Sequence, residues 1–269
     1  MPLSPNFQFS QAGLGDYADC ARRFQLRYLL EQPWPAVPAE PLLERERALA
    51  LGQRFHKLIQ QHVEGLPVET LTQALIEPEL RRWWQSYLRA LTTDLNDLPA
   101  RRRAEIALSI PVGGYRLVAH CDLIATDDDR AVIVDWKTEH RRPTRAQALN
   151  RLQTRVYRYV VTEAQPRAPG AVSMRYWFAE YPDQPEVLPY DARQHAQDRA
   201  FFAELIAEIE QRSQSAGEWP KTVDDRKCAY CTYRSLCNRG VVAGAINPDD
   251  DEFEAELRID LTELAEIAY

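Results

Sequence analysis

The stretch Val132-Ile133-Val134-Asp135-Trp136-Lys137-Thr138 joins an apolar run to an Asp-x-Lys pattern. Such an apolar run favours a β-strand, and side chains alternate between the two faces of a strand. Asp135 and Lys137 should therefore lie on one face, and Trp136 on the opposite face. The pattern predicts a strand whose end carries a carboxylate and an amine side by side.

A second predicted strand covers residues 115–124 and carries Asp122. The polar run 126–130 separates the two strands and is typical of a turn, so the strands should form a hairpin. The hairpin would bring Asp122 and Asp135 together at the rim of a sheet, with Lys137 beside them. Two neighbouring carboxylates suit Mg²⁺ or Mn²⁺, and a nearby lysine can stabilise or activate a hydroxide that attacks a phosphodiester.

The composition is that of a globular protein. The chain has 269 residues, of which 45% are hydrophobic and 27% are charged, enough to bury a core. It shows no apolar run long enough to span a bilayer and no secretory leader, so we expect a cytoplasmic protein with no membrane partner. The formal net charge of the chain is −7. Residues 247–269 contribute −8, so residues 1–246 have a net charge of +1. Overall charge therefore neither supports nor excludes binding to nucleic acid.

Three of the five cysteines are closely spaced, in Cys228-x2-Cys231-x5-Cys237. A Cys-x2-Cys pair lets two thiolates bind one metal centre, and Cys20 would complete a set of four. An odd number of cysteines argues against a disulfide framework. Four thiolates suit either zinc or an iron–sulfur cluster, whereas redox-active thiols lack a thioredoxin-like context. Cys20 alone is equally compatible with a buried apolar position, and Cys121 should pack in the core.

Helical patterns flank the predicted strands. His56 lies on the largely apolar face of a helix over residues 42–64, where a histidine is more often a core residue than a ligand. Glu105 lies on a strand over residues 104–110, opposite its apolar face, which is typical of a solvated carboxylate. The other predicted elements are a helix from the cap Ser10 to Leu30, helices over residues 70–91, 144–163 and 191–213, and a strand over residues 171–179.

Arg151, Arg155 and Arg158 share one face of the helix predicted over residues 144–163. This spacing suits contacts with successive phosphates of a nucleic acid, although a solvated helix face is the commoner outcome of such a pattern. We take Arg151 and Arg155 as candidate contacts to a nucleic-acid substrate.

The motifs resemble those of the PD-(D/E)xK nuclease superfamily. Asp122 followed by the Asp-Trp-Lys-Thr string at residues 135–138 is similar to its catalytic core, and the string looks like that of the RecB-type branch. That branch also has Gly-x3-His and Gln-x3-Tyr motifs, which match residues 52–56 and 153–157 here. The order of the motifs is the expected one over residues 8–240.

The cysteines extend this resemblance. Cys20-Ala-Arg-Arg-Phe24 resembles the Cys-Pro-Arg-Arg-Phe/Tyr segment of RecB-like members that bear an iron–sulfur cluster, with Ala21 in place of the usual proline. One N-terminal cysteine and three C-terminal ones are the arrangement of these members. The resemblance therefore favours a 4Fe–4S cluster on Cys20, Cys228, Cys231 and Cys237, with zinc as the alternative.

The resemblance also implies the fold and the catalytic site. The fold would be α/β and restriction-endonuclease-like, with a central mixed sheet flanked by helices and a Cys-ligated cluster that joins the N- and C-terminal segments. One or two Mg²⁺ or Mn²⁺ ions would be held by Asp122, Asp135 and His56, together with Glu105. The backbone carbonyl of Trp136 would add a ligand.

The same resemblance assigns the remaining roles. Lys137 would orient the attacking hydroxide, and Gln153 and Tyr157 would position the DNA strand. Residues 1–246 would form the nuclease domain, and residues 247–269 an acidic tail with a short amphipathic helix. The layout is similar to that of CRISPR-associated RecB-like exonucleases.

The resemblance thus implies a metal-dependent deoxyribonuclease that acts on single-stranded DNA or DNA ends, in repair, recombination or CRISPR-type processing. No Gly-x4-Gly-Lys-Ser/Thr motif occurs, so a helicase or other DNA-processing protein would be a separate partner. The alternative is a catalytically silent iron–sulfur DNA-binding or adaptor subunit. The presence of Asp122, Asp135 and Lys137 argues against this alternative. A zinc-stabilised interaction module is a third interpretation.

Overall fold

The computed structural model describes residues 2–33, 40–165, 167–228 and 231–240, and for residues 40–46 it describes the backbone alone. The predicted acidic tail over residues 247–269 and its amphipathic helix lie outside these residues. Within the described part of the chain, every helix is too short or too polar to cross a bilayer.

Six strands form one mixed sheet with helices packed around it. The strands are β1 (Gln8–Ser10), β2 (Arg101–Val112), β3 (Tyr115–Thr126), β4 (Ala131–Lys137), β5 (Val172–Phe178) and β6 (Glu186–Pro189). The α-helices are α1 (Gln11–Asp19), α2 (Ala21–Phe24), α3 (Glu40–Val63), α4 (Val68–Gln73), α5 (Pro78–Ala90), α6 (Arg145–Asn150), α7 (Leu152–Ala164) and α8 (Ala192–Ser213). The predicted α/β class, with a central mixed sheet flanked by helices, is confirmed.

Strand β3 pairs with three other strands, one along one edge and two along the other. It pairs along one edge with β2, antiparallel. Its other edge pairs first with β1, in parallel at residues 116–118, and then with β4, antiparallel at residues 123–126. Beyond β4 the sheet continues with β5, parallel, and β6, antiparallel. The second edge of β3 therefore forks between β1 and β4, and Asp122 lies at this fork.

Helices cover both faces of the sheet and enclose two large apolar clusters. On one face, residues of α7 and α8 such as Val156 and Phe202 pack against the sheet. On the other face, Phe55 of α3 and Tyr87 of α5 pack in the same cluster as Trp136 of β4. The central strands are buried on both faces by these helices. In β4, for example, every residue from 131 to 137 is buried.

Helix starts follow local capping, whereas three predicted helices are interrupted. Ser10 caps α1 by accepting a hydrogen bond from the Gly13 N–H, and Thr144 forms a capping box at α6. The helix predicted to run to Leu30 breaks at the extended Cys20 and resumes as α2. The helix predicted over residues 70–91 is divided before Pro78, a residue that fits the first turn of a helix.

The interruption in the third helix lies at Arg151. The helix predicted over residues 144–163 ends as α6, because Arg151 has a ψ of 132°, and a new helix, α7, starts at Leu152. The break turns the first residues of α7 toward β4, which no periodicity in the sequence had indicated.

The side chains of β3 change faces beyond Asp122. Strict alternation along a strand would place Cys121 and Leu123 on one face and Ile124 on the other. Instead Cys121 and Ile124 belong to one apolar cluster and Leu123 to the other. The change of face coincides with Glu105, which lies across from this point of β3 and has a φ of +47°. The prediction that Cys121 packs in the core is confirmed.

Candidate functional site

Three potential metal ligands from three elements meet beside the fork in β3. His56 on α3, Glu105 on β2 and Asp122 on β3 each offer one ligand atom, and these atoms lie within 4.8 Å of one another. The Nδ1 atom of His56 is 3.4 Å from Oδ2 of Asp122. These three side chains form a group that could hold a metal ion.

The β3–β4 hairpin places Asp122 at the end of β4. Oδ2 of Asp122 accepts a hydrogen bond of 2.8 Å from the backbone N–H of Trp136, the residue that follows Asp135. Asp122 is 5% exposed and Asp135 is fully buried. The hairpin therefore joins the two aspartate segments as predicted, while the Trp136 carbonyl as a ligand stays a prediction.

Asp135, Lys137 and Gln153 form a closed triangle of polar contacts. Nζ of Lys137 lies 2.8 Å from Oδ2 of Asp135 and donates a hydrogen bond of 2.9 Å to Oε1 of Gln153. Nε2 of Gln153 in turn donates to Oδ1 of Asp135 at 2.8 Å. Asp135 and Lys137 thus share one face of β4, as strand periodicity predicted, and Trp136 packs in the apolar cluster on the other face.

Two tyrosines border this triangle. Nε2 of Gln153 lies 3.3 Å from the hydroxyl of Tyr157, one turn further along α7. The ammonium of Lys137 lies 5.2 Å from the ring centroid of Tyr176 on β5, a cation–π distance. The amine of Lys137 is therefore held by a carboxylate, an amide and an aromatic ring at once.

Gly52 lets α3 approach the end of β4. A Cβ atom at this position would lie 3.0 Å from Oγ1 of Thr138, the residue after Lys137. Ordinary van der Waals contacts between such atoms are longer, so a larger residue would push the helix or the threonine away. Helix α3 therefore lies close to the sheet at Gly52, and one turn later the same helix presents His56.

The donor set fits a small divalent cation. Carboxylate oxygens are preferred by Mg²⁺ and Mn²⁺, and ligand atoms about 2.1 Å from an octahedral ion lie about 3 to 4 Å apart. The 4.8 Å limit for His56, Glu105 and Asp122 is close to that geometry. A cation would also offset the repulsion between the two carboxylates.

The three arginines predicted to share a helix face are separated by the structure. Arg158 is 2% exposed, and its Nη1 atom donates to the Pro189 carbonyl. Arg155 pairs with Asp198 at 2.6 Å. Arg151 lies at the break before α7 and pairs with Glu139 at 2.9 Å. An open row of three phosphate-binding arginines was therefore a wrong expectation, because Arg158 is part of the core, while a substrate role for Arg151 and Arg155 stays a prediction.

Four thiols from the two ends of the described chain line one cavity. Cys20, Cys228, Cys231 and Cys237 are all free of disulfides and border this cavity. Burial raises the pKa of the Cys228 and Cys237 thiols, and the nearby Cys20 raises both further. The backbone N–H of Thr222 points to Sγ of Cys20 at 3.4 Å. The ends of the chain thus bring four soft ligands together.

Basic side chains surround these thiols. The cavity is also bordered by Arg23, Lys221, Lys227, Arg234 and Arg239. Positive charge favours the thiolate form that binds a metal or a cluster. The cavity therefore has the ligand chemistry of an anionic tetrathiolate centre.

Two residues beside the triangle of Asp135, Lys137 and Gln153 had no role assigned from the sequence. Glu139 follows Lys137 by two residues, so strand periodicity could have indicated a third polar side chain there. Tyr176 lies on β5, where an aromatic residue in a buried strand carries no functional signal. Both contact the triangle or its neighbours in the folded chain.

Comparisons with known proteins give a family match and matching solved structures. A model of the family described as "PD-(D/E)XK nuclease superfamily" matches residues 8–238. No curated protein matches the chain. The fold is similar to that of a candidate exonuclease from Eubacterium rectale, at 10% identity and a TM-score of 0.51, over 88% of this chain and 90% of that one. A protein named SSO0001 matches at 13% identity and a TM-score of 0.39, over 89% of this chain and 90% of that one.

Proposed function

Because the chain belongs to the PD-(D/E)XK nuclease superfamily, we propose that it is a metal-dependent deoxyribonuclease of the RecB-like branch that acts on single-stranded DNA or DNA ends. The observation that carries the proposal is the meeting of His56, Glu105 and Asp122 within 4.8 Å, where Asp122 belongs to the β3–β4 hairpin that also holds Asp135 beside Lys137. The fold shared with a candidate exonuclease supports an action on ends.

Different side chains would have different roles in phosphodiester hydrolysis. His56, Glu105, Asp122 and Asp135 would hold one or two Mg²⁺ or Mn²⁺ ions, with the Trp136 carbonyl as a further ligand. Such an ion lowers the pKa of water and neutralises charge on a phosphate. Within the chain itself, Asp135 and Gln153 hold the amine of Lys137 in place.

Lys137 has the chemistry to act on the nucleophile. Its ammonium donates hydrogen bonds and carries positive charge, so it orients the attacking water and stabilises the negative charge that develops on it. The residue is 8% exposed. Because few waters surround a buried amine, its charge is screened less than it would be at the surface.

The DNA strand would lie along the start of α7. Gln153 and Tyr157 border the triangle there and would position the strand, and Arg155 would contact a phosphate. A helicase or another DNA-processing protein would supply unwound DNA or free ends. Pathway roles in repair, recombination or CRISPR-type processing follow from the same proposal.

We also propose that Cys20, Cys228, Cys231 and Cys237 bind a 4Fe–4S cluster. The basic residues that border the cavity support an anionic centre. Zinc is the alternative occupant, because four thiolates suit either centre.

A nuclease assay tests the catalytic proposal. End-labelled single-stranded DNA is incubated with Mn²⁺ and protein purified without oxygen. Asp135→Asn and Lys137→Ala should each reduce the cleavage rate by about 100-fold or more, because both act on the developing charge. Asp128→Asn, an exposed residue paired with Arg101, should cleave like the wild type. Undiminished cleavage by Lys137→Ala would make the assignment wrong.

The alternative functions give different outcomes in the same experiment. A silent iron–sulfur adaptor predicts brown protein that binds DNA and does not cleave it with any divalent metal. A zinc-stabilised interaction module predicts colourless protein with one zinc per chain. Iron and sulfide should be lost in Cys20→Ser and retained in Cys121→Ala, since Cys121 packs in the core.

A further inference from the structure

An ion pair lies beside the Lys137–Gln153 hydrogen bond and joins the same two chain segments. Nη1 of Arg151 lies 2.9 Å from Oε1 of Glu139, and Nη2 lies 3.2 Å from Oε2. Glu139 follows Lys137 by two residues, and Arg151 precedes Gln153 by two. The pair therefore brackets the contact between the end of β4 and the start of α7.

The geometry of the pair is that of a rigid clamp. Two parallel N–H···O bonds between a guanidinium and a carboxylate fix both distance and orientation. The Glu139 side chain is 7% exposed and that of Arg151 is 18% exposed. Screening by solvent is weak at such burial, so the pair is stronger than one on the surface.

Arg151 also determines where α7 begins. Its ψ of 132° ends α6, and the next residue starts α7. Gln153 is the second residue of α7, so the direction of its side chain depends on the backbone at this break. A guanidinium tied to Glu139 holds the break at a set distance from β4.

A shared aromatic ring connects the clamp to Lys137. The guanidinium of Arg151 lies 5.9 Å from the ring centroid of Tyr176, and the ammonium of Lys137 lies 5.2 Å from the same centroid. Two cations on one ring repel each other unless a carboxylate offsets one of them. Glu139 offsets the charge of Arg151, as Asp135 offsets that of Lys137.

We propose that Glu139 and Arg151 are positioning residues that hold Gln153 against Lys137 and Asp135. The proposal rests on the proposed nuclease function for its catalytic consequence, and on the contacts above for the positioning itself. Both terminal nitrogens of Arg151 donate to Glu139. This assigns Arg151 a role through Gln153 in place of a direct contact with a phosphate.

Kinetics on the intact protein test the catalytic consequence. Glu139→Gln and Arg151→Lys each remove the bidentate pairing with a small change in size. Each should lower kcat for cleavage of single-stranded DNA by about 10- to 100-fold, with a smaller change in KM, because a misplaced Gln153 misaligns Lys137 and the bound strand while the phosphate contacts that bind the DNA remain. The exchange of the two charges, in Glu139→Arg combined with Arg151→Glu, should recover part of kcat.

Arg142→Lys is the matched control. Arg142 pairs with Glu186 at 2.8 Å in the same connection between β4 and α6, without bracketing Lys137. It should leave kcat unchanged. If Arg151→Lys instead raises KM and reduces the salt dependence of binding, while Glu139→Gln behaves like the wild type, Arg151 contacts a phosphate and the proposal is overturned.

The side-chain amide of Gln153 provides a test that does not need catalysis. Its NH₂ group donates to Asp135 and to Tyr157, so its NMR signals should exchange slowly with solvent in the metal-free protein. They should exchange faster in Glu139→Gln and Arg151→Lys and be unchanged in Arg142→Lys. Unchanged signals in the first two variants would refute the positioning role. If the wild type cleaves no DNA, that result refutes the nuclease proposal, and the NMR signals still test the positioning role.

Discussion

Glu105 combines an unusual backbone with a carboxylate at the candidate metal centre. Its φ of +47° lies in the left-handed region, which costs a residue with a Cβ about 1–3 kcal/mol. The residue lies across from Asp122, at the point where the strands change the faces that their side chains present. The conformation thus belongs to the geometry that gathers Glu105, His56 and Asp122.

We expect Glu105→Gly to be more stable than Glu105→Ala by about 1 kcal/mol, although glycine normally weakens a strand. Glycine adopts a positive φ without strain, and both variants lack the carboxylate. Both should also bind Mn²⁺ more weakly than the wild type. Urea unfolding of the metal-free proteins and calorimetric titration with Mn²⁺ check this. An alanine variant as stable as the glycine variant would show that the backbone is unstrained.

The contact between Gly52 and Thr138 predicts that Gly52→Ala lowers stability when Thr138 is present and raises it when Thr138 is replaced by alanine. Gly52→Ala should destabilise the wild type, because overpacking costs about 1–3 kcal/mol and alanine regains only about 1 kcal/mol of helix propensity. In a Thr138→Ala background the Oγ1 atom 3.0 Å away is gone, so the same change should stabilise by about 1 kcal/mol. A double-mutant cycle in urea measures both. Equal effects in the two backgrounds would contradict the steric role of Thr138.

At the scale of elements, α3 and α5 pack through a half-buried histidine, His62. The ring of His62 lies edge-on to Trp84 and Tyr87, with centroids 5.6 Å away in both cases. Its Nδ1 atom is 3.0 Å from the Tyr87 hydroxyl. Burial lowers the pKa of His62, and the positive charge of Arg102 lowers it further. The neutral imidazole is therefore the form that fits this contact.

This contact should lose stability as the pH falls. The folded state has the lower pKa, so it binds fewer protons than the unfolded state once the pH drops below the unfolded value of about 6.5. The contribution of His62 is complete above that value and decreases from there toward the lowered pKa. His62→Gln should therefore lose less stability than the wild type between pH 7.5 and pH 5.5 in urea unfolding. His140→Gln, at a side chain that is 77% exposed, should behave like the wild type.

At the scale of the whole molecule, the two ends of the described chain are joined by contacts other than the thiols. Oε1 of Gln25 accepts from the Trp219 N–H, and its Nε2 atom donates to the Gly217 carbonyl, each at 2.8 Å. The ring of Trp219 stacks on Phe24 with centroids 5.9 Å apart. These contacts hold residues 217–219 without any metal.

Loss of the proposed cluster should therefore loosen only part of the C-terminal segment. In Cys228→Ser, or after chelation, hydrogen exchange should accelerate in residues 221–240 and remain slow in residues 217–219. Gln25→Ala should do the reverse, with faster exchange around Trp219 and a retained cluster. Mass spectrometry of the exchanged protein distinguishes the two patterns. Uniform loss of protection after chelation would mean that the cluster alone joins the two ends.

The sequence by itself determined the features that depend on near neighbours along the chain. Strand periodicity placed Asp135 and Lys137 on one face and Trp136 on the other, and the polar turn placed Asp122 on the adjacent strand. Capping chemistry located the starts of α1 and α6. Local geometry and hydrogen bonding within a few residues are enough for such features.

Only the tertiary structure decided the change of face at Asp122, the break at Arg151 and the bracket formed with Glu139. Each depends on partners that are distant in sequence: Glu105 lies on another strand, and the ion pair joins β4 to α7. The meeting of His56 with Glu105 and Asp122 likewise requires α3 to pack at Gly52. Packing between elements overrides strict periodicity at such points, because burial and ion pairing there outweigh the small cost of interrupting a helix or a strand.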